Sequence, residues 1–173
     1  MNAPGGTDAA VLLPMFGHPE RPGLVFTERP LDLRRHGGEI SFPGGRQDSP
    51  DEKLLNTALR ESEEEIGLSP SEVEVAGALP PVGTFVTGYK VHPFVGTIPE
   101  GLRFRPNQSE VAAVLLFTLD ELHEGFAMRR LIRRGLPIRT PTYEVGEHMI
   151  WGATARILAD LLERLEAPAE ERK

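Results

Sequence analysis

Apolar positions in this chain come mostly in short runs broken by turn residues. The runs are AAVLLPMF (9–16), GLVFTER (23–29), EVEVAGALP (72–80), YKVHPFVGTI (89–98) and EVAAVLLFTL (110–119). Gly, Pro, Asn and Asp stand between them, which predicts five β-strands. VHPFVG alternates weakly, and VAAVLLF is nearly continuous, as in a strand covered on both faces. Two segments repeat at helical spacing instead. In 151–165, Ile157, Leu158, Leu161, Leu162 and Leu165 form a stripe that predicts a core-packing helix. In the other, Ser49-Pro50-Asp51-Glu52 reads as a capping box with Ser49 as N-cap. Leu54, Leu55, Ala58, Leu59, Ser62 and Ile66 continue its stripe, and Gly67 can end it in the left-handed conformation. RRLIRRGLPIR (129–139) reads as a solvated helix face and loop, or as a local anion-binding patch. Together these elements predict one α+β domain over residues 1–173, a mixed sheet with helices packed on it. Residues 1–8 and 167–173 are expected to fray.

The second helix breaks a rule of its own. Glu61, Glu63, Glu64 and Glu65 crowd its C-terminal end, where the helix dipole already places negative charge. Glu61 repels Glu64 and Glu65 at i,i+3 and i,i+4, and the combined penalty is about 1–3 kcal/mol. Arg60 is the only cation close by in sequence. A solvated acidic face and a divalent-cation site both account for the pattern. Glu61, Glu64 and Glu65 lie within an arc of about 100°, and Glu63 points elsewhere. Oxygen ligands at this density suit a hard cation, which would cancel their repulsion.

Composition narrows the classes. With 173 residues, 39% apolar and 26% charged, the chain can bury a core. It has no cysteine, which removes disulfides, thiolate metal sites and cysteine nucleophiles. No apolar run reaches the ~20 residues of a membrane span, and the N-terminus lacks the basic stretch of a signal peptide, so a cytoplasmic location is expected. The net charge of −7 argues against a nucleic-acid partner. The five histidines, His18, His36, His92, His123 and His148, show no metal spacing. Gly37, Gly38, Gly44 and Gly45 lie just before the acidic helix, where backbone can approach a phosphate or metal. Neither a P-loop nor a G-x-S-x-G elbow is present.

Glycines, helix and acids together resemble the Nudix box, G-x5-E-x7-R-E-U-x-E-E-x-G-U, with U a bulky apolar residue. Glu52, seven residues, and Arg60-Glu61-Ser62-Glu63-Glu64-Glu65-Ile66-Gly67-Leu68 follow that pattern. Ser62 departs from it, standing at a U position, and six residues rather than five separate Gly45 from Glu52. Upstream, VFTERPLDLRRHGGEISFPGG is similar to the motif of the coenzyme A pyrophosphatase branch. Thr27, Arg29, Arg34, Gly38, Phe42, Pro43, Gly44 and Gly45 match, whereas Val25-Phe26 and Pro30 depart. The two motifs span residues 25 to 68, and IWGATARIL resembles the family's closing helix more weakly.

That resemblance implies a Nudix fold, an α/β/α sandwich with a mixed sheet between helices. It implies Mg²⁺- or Mn²⁺-dependent hydrolysis of a diphosphate, here of coenzyme A or an acyl-coenzyme A. Glu61 and Glu65 are the implied metal ligands, Glu64 a further ligand or water-positioning base, and Arg60 their orienting cation. Gly44 or Gly45 would offer a carbonyl. Glu110 is a candidate base outside the box, or an edge-strand charge. Arg29 and Arg34 are candidates for phosphate contact, or surface ion-pair partners. ADP-ribose, a dinucleotide or a nucleoside triphosphate is the alternative substrate, and a non-catalytic binding module the alternative of another class. Oligomeric state stays open, a homodimer included.

Overall fold

The computed structural model describes residues 7–17, 19–32, 38–50, 52–84 and 88–167. β1 (Thr7–Phe16) is followed by β2 (Gly23–Glu28), β3 (Ile40–Ser41) and β4 (Gly44–Arg46). Then come α1 (Leu54–Ile66), β5 (Glu74–Ala78), β6 (Val82–Gly83), β7 (Tyr89–Thr97) and β8 (Ala113–Thr118). These strands form one mixed sheet, in which β1 pairs parallel with β7 and antiparallel with β2 and β4. After α2 (Leu119–Glu124), a second, antiparallel sheet consists of β9 (Phe126–Arg133), β10 (Leu136–Val145) and β11 (His148–Ile150). α3 (Gly152–Glu166) closes the order.

β1 explains its own apolar run, because it is covered on both sides. Ala10 and Leu12 join a core with Ala58 and Ile66 of α1. Leu13, with Val11 and Met15 packed beside it, joins a second core with Phe26, Phe117 and α3. Alternate side chains of a strand point to opposite faces, so α1 and α3 sit on opposite sides of the sheet. Leu165, the last of the stripe predicted for α3, stays 39% exposed, whereas α3 buries Ile157, Leu158, Leu161 and Leu162. Each such side chain contributes roughly 1.5–3 kcal/mol on burial. No helix among the described residues is long and apolar enough to cross a membrane.

Several expectations are corrected. Thr7 and Asp8 belong to β1 and register with Tyr89 and Lys90, so order begins before residue 9. β8 starts at Ala113, not 110, and is not covered on both faces: Leu116 remains 47% exposed. α1 starts at Leu54 with Lys53 as N-cap and no side-chain cap. Ser49 is not the N-cap; its carbonyl accepts from the Glu52 amide across a turn. The largest difference lies at 129–139, which forms the β9–β10 hairpin, with Arg134 and Gly135 at φ 50° and 77° in its two-residue turn. Positive φ at both turn positions suits the right-handed twist of the flanking strands. FAMRRLIR does not alternate cleanly, so nothing local announced a strand there.

Candidate active site

The loop ahead of α1 is fixed by contacts no larger residue would permit. Phe42 is buried and stacks on Phe26, ring centroids 4.7 Å apart. The Pro43 carbonyl accepts from the Leu12 amide at 2.9 Å. Gly44 and Gly45 then pair with Val11 and Ala10. A Cβ on Gly44 would lie 2.3 Å from the Ala10 carbonyl oxygen, a backbone atom that cannot yield. A Cβ on Gly45 would lie 2.5 Å from the carboxyl carbon of Glu61. These two glycines therefore let the loop press against β1 on one side and against an acid of α1 on the other.

Arg60 answers much of the charge problem posed by the helix end. Its guanidinium lies 2.9 Å from Glu52, 2.9 Å from Glu61, 3.4 Å from Glu64 and 3.4 Å from Asp48. It also donates to the Arg46 carbonyl at 3.3 Å. Glu52 further accepts from the Asp48 amide at 3.1 Å. The Arg60 hydrogen bond, then the Asp48 amide, pull the Glu52 carboxyl down to about 2. The extra loop residue thus leaves Glu52 on Arg60, eight positions further along the chain. Ser62 is explained as well. It is fully buried, and its hydroxyl donates to the Ala58 carbonyl at 2.7 Å, satisfying the polar atom in an apolar slot.

The four glutamates separate by environment. Glu63 is exposed, and Glu64, with its side chain 55% exposed, leans on Arg60 from outside. Glu61 and Glu65 are partly buried. Burial raises the Glu61 carboxyl against the pull of Arg60. Burial, and then the Glu61 charge, push Glu65 up to about 8, although the Gly44 amide and Arg29 oppose this. Glu110 adds negative charge to both. It sits in a turn rather than at the start of a strand, its amide bonded to the Asn107 carbonyl. That turn is tied to the end of α1, where the amides of Arg105 and Asn107 cap the carbonyls of Ile66 and Glu65.

A cleft of about 720 Å³ opens beside this cluster. Glu61, Asp48, Gly44, Gly45, Arg29 and Arg46 line one part, and Tyr89, Val91, Thr84, Ala153, Thr154 and Ile157 the other. Arg29 follows β2, its amide bonded to the Glu39 carbonyl. Arg34 and His36 lie outside the described residues. Among the described residues, no three His, Asp or Glu side chains form a ready metal cage. Glu61 is held by Arg60, and Glu65 by the Gly44 amide. The donor set nevertheless fits a hard cation: carboxylate oxygens only, two of them raised by burial and mutual repulsion, and a glycine keeping the approach to Glu61 free.

Comparison with known proteins decides the family. A family model described as NUDIX domain matches residues 6–135. The chain belongs to the Nudix family. It is 44% identical over 155 residues to a protein of Escherichia coli O1:K1 described as an uncharacterized Nudix hydrolase, NudL, covering 88% of this chain and 80% of that one. Among solved structures, the NUDIX domain of Shewanella oneidensis NrtR, complexed with ADP ribose, aligns with TM-score 0.59 at 14% identity over 93% of this chain and 89% of that one. A C. elegans Ap4A hydrolase aligns with TM-score 0.56 at 15% identity over 68% and 84%. At such identities these two speak for the Nudix fold, the mixed sheet between helices. Nudix hydrolases act on pyrophosphate bonds and generally use divalent metal ions, and this chain is one of them.

Within this Nudix site, sequence reading missed Glu52 as the principal partner of Arg60, and it missed Asp48, Arg46 and Tyr89 altogether. The x7 spacing to Arg60 was the signal for Glu52. Tyr89 lies far from the box in sequence, and only strand pairing brings it there.

Proposed function

We propose that this Nudix hydrolase cleaves the diphosphate of coenzyme A or a derivative. The products would be 4′-phosphopantetheine, acylated where the substrate was, and adenosine 3′,5′-bisphosphate. The observation that carries the reading is the cleft itself: Arg29, Phe42, Gly44 and Gly45 of the upstream motif line it together with Glu61 of the box. Glu61 and Glu65 are the residues we assign to Mg²⁺ or Mn²⁺, with Glu64 as a further ligand. A bound cation supplies charge neutralisation for the diphosphate and makes a water molecule more acidic. The chain's own groups do the rest. Arg60 orients Glu61 and Glu64 by charge-assisted hydrogen bonds. Glu52 holds Arg60 in place. Glu64 or Glu110 takes the proton of the attacking water, and Arg29 steadies a phosphate of the substrate.

Incubation with coenzyme A and Mg²⁺ in ¹⁸O-water, followed by mass analysis of both products, tests substrate and point of attack together. The reading expects one labelled phosphate and the two products named above. Intact coenzyme A alongside consumed ADP-ribose would replace the substrate assignment. That second reading draws on the ADP ribose complex of the structural relative. Turnover of no diphosphate would leave a binding module.

A further inference from the structure

β1 carries β4 on one side and β7 on the other, and the pairings fix what shares a face. Ala9 registers with Arg46 and with Val91, and Thr7 with Tyr89. Arg46 and Tyr89 therefore stand diagonally across the small side chain of Ala9, on the strand face that looks into the cleft. Ala9 leaves the space between them open, and the Arg46 guanidinium lies 5.7 Å from the centre of the Tyr89 ring. The ring steadies this cation without neutralising it, since a π face offers attraction but no counter-charge. Among the described residues, no carboxylate pairs with Arg46. Arg60, its neighbour at the site, is in contrast surrounded by four. The backbone of Arg46 is pinned twice, by the β1 pairing and by the Arg60 donor on its carbonyl.

A cation that is positioned, uncompensated and turned into a cleft is poised for an anion. We propose that Arg46, held on Tyr89 across Ala9, is a specificity-determining residue that takes a phosphate group of the substrate at the Tyr89 side of the cleft. This rests on the diphosphate reading above. The phosphate belongs either to the diphosphate or to a monoester elsewhere on the substrate, such as the 3′-phosphate of coenzyme A. Guanidinium is suited to both through its planar pair of donors.

The test uses the full chain with Mg²⁺ and compares Arg46→Ala, Arg46→Lys, Tyr89→Leu and Tyr89→Phe on coenzyme A, 3′-dephospho-coenzyme A and ADP-ribose. Arg46→Ala is expected to raise KM about 10–100-fold with kcat changed only a few-fold. Arg46→Lys restores part of that loss, and Tyr89→Phe stands between Tyr89→Leu and the wild type, because a ring face without its hydroxyl still steadies the cation. Loss confined to coenzyme A assigns the 3′-phosphate, and equal loss on all three assigns the diphosphate. Equilibrium binding of adenosine 3′,5′-bisphosphate and ADP-ribose without metal gives a second readout, with about tenfold weaker binding expected for Arg46→Ala and an unchanged melting temperature. KM and binding within twofold of wild type for Arg46→Ala would overturn the proposal. If the wild type cleaves none of the three substrates, the functional reading fails on its own, and the binding arm decides Arg46.

Discussion

Glu65 shows what a single buried carboxyl does to this chain. Its ordinary range is near 4.5, and burial beside Glu61 moves it to about 8. Between those two values the folded chain keeps a proton that the unfolded chain has released. Stability without metal therefore falls as pH rises from about 4.5 to 8 and levels beyond. Glu65→Gln should remove that slope and stabilise the metal-free protein at pH 9 by on the order of 2–4 kcal/mol, while turnover drops at least 100-fold. Denaturant melts at pH 5 and 9 and steady-state rates check both halves, and unchanged turnover would sink the ligand assignment. Glu52 has the opposite sign. Held near 2, it contributes stability that is complete above about 4.5 and is lost as pH falls towards 2. Glu52→Gln should flatten the acid limb of the melt and lower kcat about 10–100-fold by loosening Arg60. The adjacent glycines separate in the same way. Gly44→Ala drives a Cβ into backbone and should cost about 2–4 kcal/mol. Gly45→Ala meets the movable Glu61 carboxylate, so the protein should stay folded and lose most of its activity.

At the scale of the element, α1 was legible at its end and not at its beginning. Gly67 takes φ 70°, and its amide reaches the Glu63 carbonyl, the stop that the sequence announces. Gly67→Ala should cost about 1–2 kcal/mol in a denaturant melt and leave the rate unchanged. A Cβ there strains the left-handed backbone and comes within 3.2 Å of the Arg105 Cβ. The start was misplaced because Ser49 and Glu52 form a capping pattern on paper. In the folded chain, Arg60 draws the Glu52 carboxylate away, and a turn takes the place of the first helical residues. The guanidinium offers Glu52 a full opposite charge and two donors, where the capping position would offer a single backbone amide. The β9–β10 hairpin is the converse case. Its local pattern favoured a helix, and pairing with β10 and β11 prevailed, as tertiary context routinely overrides propensity.

For the whole molecule, the site is an electrostatic load that the rest of the fold sustains. Two cores on opposite faces of β1 hold α1 and α3, and the loop carrying Glu110 is strapped to the end of α1. A divalent cation should relieve that load. Saturating Mg²⁺ or Mn²⁺ is expected to raise the melting point, with about 2.7 kcal/mol gained at a hundred times Kd. The gain should be larger at pH 8.5 than at pH 6, where a proton on Glu65 competes with the metal. Thermal melts at both pH values measure this, and an equal rise at each would remove Glu65 from the ligand set.

What the sequence determined by itself was local: the spacing of acids on α1, its glycine stop, the stripe of α3, the strand runs, and the family motif they compose. Each depends on residues within a turn or two, where periodicity and side-chain chemistry suffice. Only the tertiary structure decided the partners. It placed Glu52 and Asp48 on Arg60, satisfied Ser62 inside a core, divided the four glutamates by burial, and laid Arg46 over Tyr89. The physical reason is strand pairing. β1 joins β4 and β7, which lie more than forty residues apart in sequence, and no local pattern encodes which side chains will then share a face.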